Sequence, residues 1–289
     1  MENVLFTGTC TALVTPFANN QINYPMIEQL LQRQIDAGIP AVVLGGTTGE
    51  SPTLTDTEKL ELYRRSKEFV GDRLKVICGT GSNDTMHAVT LSVAAENVGA
   101  DALLVVTPYY NKGNPEGILA HYTAIANAVN IPIIVYNVPS RTGVDISISL
   151  YQKLSKIPNI IGVKEASTDI VKIAKIRNAC GPDFHIWSGN DDLAVAAMSL
   201  GAKGVISVLS NVLPAETNAM TSAALDGDFD SASDLQCRML PLIDALFKEV
   251  NPIPVKAAMK MIGFDCGSCR LPLGTESKET AMILESILK

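Results

Sequence analysis

The chain contains no run of five basic residues, only three histidines, and no apolar stretch of about eighteen residues. Each absence removes a class of function. Nucleic-acid binders carry a basic footprint. Here 23 basic side chains stand against 30 acidic ones, giving a net charge of −7 and a pI near 5.0, which argues against a phosphate-rich partner. Without a long apolar stretch there is no candidate for a membrane helix. The opening residues, MENVLFTGTCTALVTPF, lack the charged start and apolar run of a secretion signal. The expectation is a soluble, cytoplasmic protein. His87, His121 and His185 stand at no ligand spacing, so no metal is expected. Neither a P-loop nor a complete dinucleotide fingerprint occurs, which argues against a nucleotide cofactor. Six cysteines in 289 residues are too sparse for a disulfide scaffold. Cys266 and Cys269 form a C-x-x-C pair with no second pair to complete a zinc site, so free thiols are expected there.

What the chain does have is alternation. Apolar runs that suit buried strands occur at 9–15, 41–46, 75–80, 102–108, 132–137, 160–166, 184–189 and 204–209. Several are almost wholly apolar, as in parallel strands covered on both faces. Helical patterns fill the intervals. In 23–38, Ile27, Leu30, Leu31, Gln34 and Ile35 share one face, and at 55–71 Thr55 followed by Glu58 makes a capping box. Eight strands alternating with helices predict an α/β chain folded as a (β/α)8 barrel. After about residue 210 only helical patterns follow. We therefore expect a catalytic barrel over 1–215 and a C-terminal helical extension over 216–289.

In such a barrel, chemistry belongs at the carboxyl ends of the strands. There the sequence places GGTTGES (45–51), TPYYNK (107–112), YNVPSRTG (136–143), GVKEAS (162–167) and SGND (188–191). Lys164 ends an apolar strand. Alternation puts it on one face with Ile160 and Gly162, and Val163 and Glu165 on the other. A lysine facing into a closed barrel is desolvated, which favours a neutral amine able to attack a carbonyl. A paired or exposed lysine at a strand end is the plainer alternative. Tyr136, on the preceding strand, could relay protons or simply fill the core. Thr47 and Thr48, in a glycine-permitted turn, offer hydroxyls and N–H groups to a carboxylate. Arg141 could clamp a second carboxylate or be merely solvated.

Taken in order and spacing, GGTTGES, TPYYNK, YNVPSRTG and GVKEAS resemble the pyruvate-dependent class I aldolases, from TGTCTALVTPF to the C-terminal CRLPL. Within that family the Thr-Thr pair and the arginine resemble the dihydrodipicolinate synthase branch rather than the sialic-acid lyases. The resemblance implies that Lys164 forms a Schiff base with pyruvate and that Tyr136 relays protons. It implies that Thr47 links Tyr136 to Tyr110, which reaches into a neighbouring subunit's site. Thr48 would hold the pyruvate carboxylate, Arg141 the carboxylate of aspartate semialdehyde, and the backbone of Gly189 and Ile206 would line the pocket. The implied reaction gives 4-hydroxy-tetrahydrodipicolinate, on the path to lysine and diaminopimelate, with no separate cofactor. The implied assembly is a homo-oligomer, a tetramer of two dimers in preference to a dimer. A sister aldolase acting on sialic acid or a 2-keto-3-deoxy sugar acid is the rival, and a non-catalytic carboxylate-binding barrel the different-class alternative. One departure stands out. Lysine-inhibited members carry an asparagine and, four residues on, a glutamate; here Asn83 is followed by His87, with Asp56 and Lys59 where histidines often stand. Weak or absent inhibition by lysine is expected.

Overall fold

The computed structural model describes residues 4–289. Eight parallel strands close into a barrel: β1 (Gly8–Ala12), β2 (Ala41–Leu44), β3 (Lys75–Gly79), β4 (Ala102–Val106), β5 (Ile133–Asn137), β6 (Ile160–Glu165), β7 (His185–Ser188) and β8 (Gly204–Ser207). Each strand pairs with its sequence neighbours, and β8 returns to β1 in the register Cys10↔Ile206. Seven lie inside the stretches expected from sequence, and β1 starts one residue before its expected stretch, at Gly8. A short hairpin, Phe17–Ala18 with Gln21–Ile22, was not foreseen, because two-residue strands leave no periodic trace.

Helices α1 (Tyr24–Asp36), α2 (Asp56–Val70), α3 (Thr85–Asn97) and α4 (Pro115–Ala128) follow β1 to β4. The short α5 (Pro139–Thr142) and α6 (Ile148–Leu154) follow β5, then α7 (Ile170–Cys180) and α8 (Ala194–Ser199) follow β6 and β7. Their starts are chemically marked: Thr55 and Glu58 form the expected reciprocal capping box at α2, and Asn23 caps α1. In α1 the buried residues are Ile27, Leu30, Leu31 and Gln34, whereas Ile35 is only half-buried.

The strands separate two cores. Cys10, Ala12, Val43, Ile77, Leu104, Ile134, Tyr136, Trp187 and Ile206 pack inside the barrel. Leu103, Val105, Ile133, Val135, Ile160 and Val163 pack outward against the helices. One expectation needs correcting here. Ile160 does not share the face of Lys164, because the pairing slips between Ile133↔Ile160 and Ile134↔Gly162. The extra residue, Ile161, packs on the barrel interior and leaves Ile160 in the outer core. From Gly162 onward the expected alternation holds.

Helix α9 (Pro214–Leu225) closes the outer ring on β1, where Thr9 hydrogen-bonds to Thr221 at 2.8 Å and to the carbonyl of Thr217 at 3.1 Å. Helices α10 (Phe229–Leu246), α11 (Ile253–Met261) and α12 (Lys278–Leu288) complete the chain. The segment between α11 and α12 runs back to the barrel rim. There Arg270 bonds the Glu58 carboxylate at 2.5 Å and the carbonyls of Thr53 and Asn20. No described helix is long and apolar enough to cross a membrane.

Candidate active site

A cavity of about 600 Å³ opens at the carboxyl ends of β2 to β5, with Gly45, Thr47, Gly79, Tyr136, Val138 and Arg141 in its wall. The β2 and β3 turns come very close together: a side chain at Gly79 would sit 2.3 Å from the carbonyl oxygen of Gly45, so only glycine fits. The β2 turn is fixed from behind. Glu50 takes a left-handed conformation, φ 57°, that costs a non-glycine residue energy. Its buried carboxylate is held by Lys256 of α11 at 2.6 Å and by the backbone N–H of Arg270 at 2.8 Å. Thus two residues from beyond the barrel clamp GGTTGES.

At the end of β5 and β6, Tyr136 and Lys164 are register partners and both face inward. Lys164 is 5 % exposed and its Nζ lies 4.4 Å from the centroid of the Tyr136 ring. Tyr136 is in the cavity wall, whereas Lys164 is not and reaches it only through this contact with the tyrosine ring. Gly189 makes room for it, since a Cβ there would stand 3.1 Å from Lys164 Cε and 2.5 Å from the Ala166 Cβ. Ile206 is fully buried beside Cys10, whose thiol burial pushes far above its ordinary range despite the nearby Lys164. Cys10 is therefore a protonated, apolar floor residue.

Thr48 is buried and its hydroxyl accepts a hydrogen bond from Asn251 Nδ2 at 2.9 Å. The carbonyl of the same Asn251 receives Arg141 at 3.4 Å. Asn251 was not foreseen: a lone asparagine before a proline, some 200 residues from Thr48, carries no spacing signal. Asp191, the last residue of SGND, stood among the strand-end motifs but with no role assigned. It is buried, its carboxyl raised above the usual range by desolvation, and it accepts the N–H groups of Val208 and Leu209 at 2.9 and 3.0 Å. It thereby fixes the turn after β8.

Tyr110 stands apart from the other expected residues. It is 89 % exposed, adopts φ 69°, and does not reach the cavity of its own chain. The outer arm of the cavity carries Asp56, Lys59, Ser82, Asn83 and His87. There His87 Nε2 pairs with Asp56 at 2.9 Å and its Nδ1 with Ser82 at 3.1 Å. Burial lowers the pKa of Lys59, with Asp56 opposing. Burial pushes the thiols of Cys266 and Cys269 up to about 11 and about 12, so neither is a ready thiolate.

A closed barrel thus carries an inward lysine beside a tyrosine and a hydroxyl-rich glycine turn at the carboxyl ends of its strands, where barrels of this kind place their chemistry. The chain belongs to the dihydrodipicolinate synthetase family, whose model matches residues 5–289. It is 48 % identical over 285 residues to the 4-hydroxy-tetrahydrodipicolinate synthase of Thermoanaerobacter sp. (strain X514), covering 98 % of this chain and 96 % of that one. Among solved structures, dihydrodipicolinate synthase from Aquifex aeolicus superposes with a TM-score of 0.96 at 42 % identity, covering 98 % of this chain and 97 % of that chain. The chloride-inhibited enzyme of Acinetobacter baumannii, solved with pyruvate, gives 0.96 at 38 % identity and covers 98 % of both chains.

Proposed function

We propose that this enzyme condenses pyruvate with L-aspartate 4-semialdehyde to give 4-hydroxy-tetrahydrodipicolinate, in the cytoplasm and on the route to lysine and diaminopimelate. The observation that carries the reading is the inward Lys164, 5 % exposed, with its Nζ 4.4 Å from the ring of Tyr136, which lines the cavity. The amine of Lys164 adds to the keto carbon of pyruvate, and the carbinolamine loses water to give an iminium. Loss of a methyl proton gives the enamine, whose carbon attacks the aldehyde of the second substrate. The substrate's own amino group then displaces Lys164 and closes the ring. No separate cofactor is needed, because the iminium is the electron sink.

Tyr136 moves the protons of the carbinolamine steps, and Thr47 links it to Tyr110 of a neighbouring subunit. Thr48 and the β2-turn amides hold the pyruvate carboxylate, and Arg141 at the cavity wall takes that of the semialdehyde. Gly189 and Ile206 shape the walls through their backbones. The exposure of Tyr110 supports a working unit of at least two chains, with a tetramer of two dimers as the favoured form. Arg141 favours a short acid over the polyol of a sialic acid.

Borohydride reduction in the presence of pyruvate, followed by peptide mass spectrometry, tests this. The expected result is one adduct, on Lys164, and turnover with aspartate semialdehyde. An adduct elsewhere, or none, overturns the mechanism; indifference to the semialdehyde overturns only the substrate. Lysine should inhibit weakly or not at all, because His87, paired to Asp56, stands where inhibited relatives have a carboxylate for its ammonium group. Half-inhibition at sub-millimolar lysine would contradict this.

A further inference from the structure

Behind the reacting pair lies a second pair on the opposite face of the same two strands. Tyr136 and Lys164 face inward in register, and the next residues, Asn137 and Glu165, face outward in register. Asn137 is fully buried and Glu165 is 2 % exposed. Asn137 Nδ2 donates to Glu165 Oε1 at 2.9 Å and Oε2 at 3.1 Å, and to Asp145 Oδ1 at 2.8 Å. Its Oδ1 accepts from the Ile146 N–H at 3.1 Å, which fixes the orientation of the amide.

The Glu165 carboxylate has further partners on this side. It accepts from the Tyr151 hydroxyl at 2.7 Å and from the Ser167 N–H at 2.9 Å. Lys172 Nζ stands 3.6 Å from Oε2 and also pairs with Asp145. Hydrogen bonding to Lys172 and Asn137 holds the Asp145 carboxyl below its usual range against the desolvation that raises it. Burial, together with the Glu165 charge, lifts the Tyr151 phenol well above its ordinary range, so it stays a donor.

A buried ionic network adds little net stability compared with apolar packing; its attested use is to specify one arrangement. This one grips β5, β6, α6 and α7 just where Lys164 must meet a bound ketone. Of its bonds, only Asn137 to Glu165 joins the two strands that carry the reacting side chains. We propose that the Asn137–Glu165 clasp is a positioning device that sets the relation of Lys164 to Tyr136, and hence the rate of Schiff-base formation. The proposal rests on the reading of Lys164 as the Schiff-base lysine. A displaced amine costs turnover rather than affinity, because the pyruvate carboxylate is assigned to the β2 turn across the barrel. A misplacement near 1 Å is enough for a loss of about 10²-fold.

The test measures adduct formation at saturating pyruvate, trapped with borohydride and normalised to the folded fraction. Glu165→Ala removes both oxygens to which Asn137 Nδ2 donates and so breaks the clasp. It should slow trapping by at least about tenfold while the KM for pyruvate moves less than about threefold. Tyr151→Phe removes a bond to the same carboxylate but spares the clasp. It should lower Tm and leave normalised trapping within about twofold of wild type. If Glu165→Ala fails to fold, Asn137→Ser removes the clasp from the other strand and is read the same way. A trapping rate within about twofold of wild type in the clasp variant, or an equal slowing in Tyr151→Phe, overturns the proposal. A wild-type enzyme that forms no adduct on Lys164 overturns the Schiff-base reading and the clasp together.

Discussion

The two ends of the barrel are built from the same eight strands and solve opposite problems. Toward the amino end, Phe6, just ahead of β1, stacks on Trp187, the β7 residue in register with Lys164, with ring centroids 4.9 Å apart, and the indole N–H donates to the Phe6 carbonyl. Cys10, Ile77 and Ala102 belong to the same inner core, which is apolar. At the carboxyl end the strands give way to threonines, glycines, a tyrosine and a lysine. The filled end is held by area and volume, for which many residues can substitute. The open end is held by directed bonds, where a displacement of an atom matters more than the loss of a methyl group.

That contrast breaks if substitutions at the two ends behave alike. The largest effect should come from Lys164→Ala, which removes the proposed nucleophile. Turnover should fall by about 10³-fold or more with Tm nearly unchanged, as followed by coupled assay and calorimetry. Phe6→Ala should do the reverse. Losing a buried aromatic costs roughly 3–5 kcal/mol of stability, read by denaturant titration, while activity per folded molecule holds. Comparable losses of activity in both variants would erase the distinction. Arg141→Ala sharpens it within the open end: KM for the semialdehyde should rise by about tenfold or more, and KM for pyruvate should not.

The smallest effect concerns the rim clamp. Hydrogen bonds from Arg270 lower the Glu58 carboxyl from 4.5 to about 2. Because the folded value lies below the ordinary one, this contribution is complete above about 4.5 and is lost as pH falls toward 2. The stability difference between wild type and Glu58→Gln should therefore shrink across that interval. A constant difference from pH 6 to pH 2.5 would show that the carboxyl's charge is not what holds Arg270.

The barrel was legible because each strand is a compact apolar run, and such runs carry their signal locally. The orientation of Lys164 was legible from alternation, whereas the slip at Ile161 was not, since an unpaired extra residue looks like any other in an apolar strand. The partners of Glu165 were out of reach for a different reason. Asn137, Tyr151 and Lys172 lie on three separate elements that only closure of the outer ring brings together. Asn251 and the Glu50–Lys256 pair were hidden in the same way: about 200 residues of chain separate the contacting groups. Sequence reported what each element is; the network behind the site belongs to none of them singly.

Asn251 also bears on how such an enzyme could change its diet. Its side chain holds Thr48 and its carbonyl meets Arg141, so one residue beyond the barrel underlies the grips assigned to both acids. Loop exchange confined to the strand ends would leave that shared support in place and keep the old pairing of acids. Retargeting the acceptor calls for a paired library, in which the turn residue at 251 varies together with 141. The route to a new product thus runs through a part of the chain that no survey of barrel loops would sample.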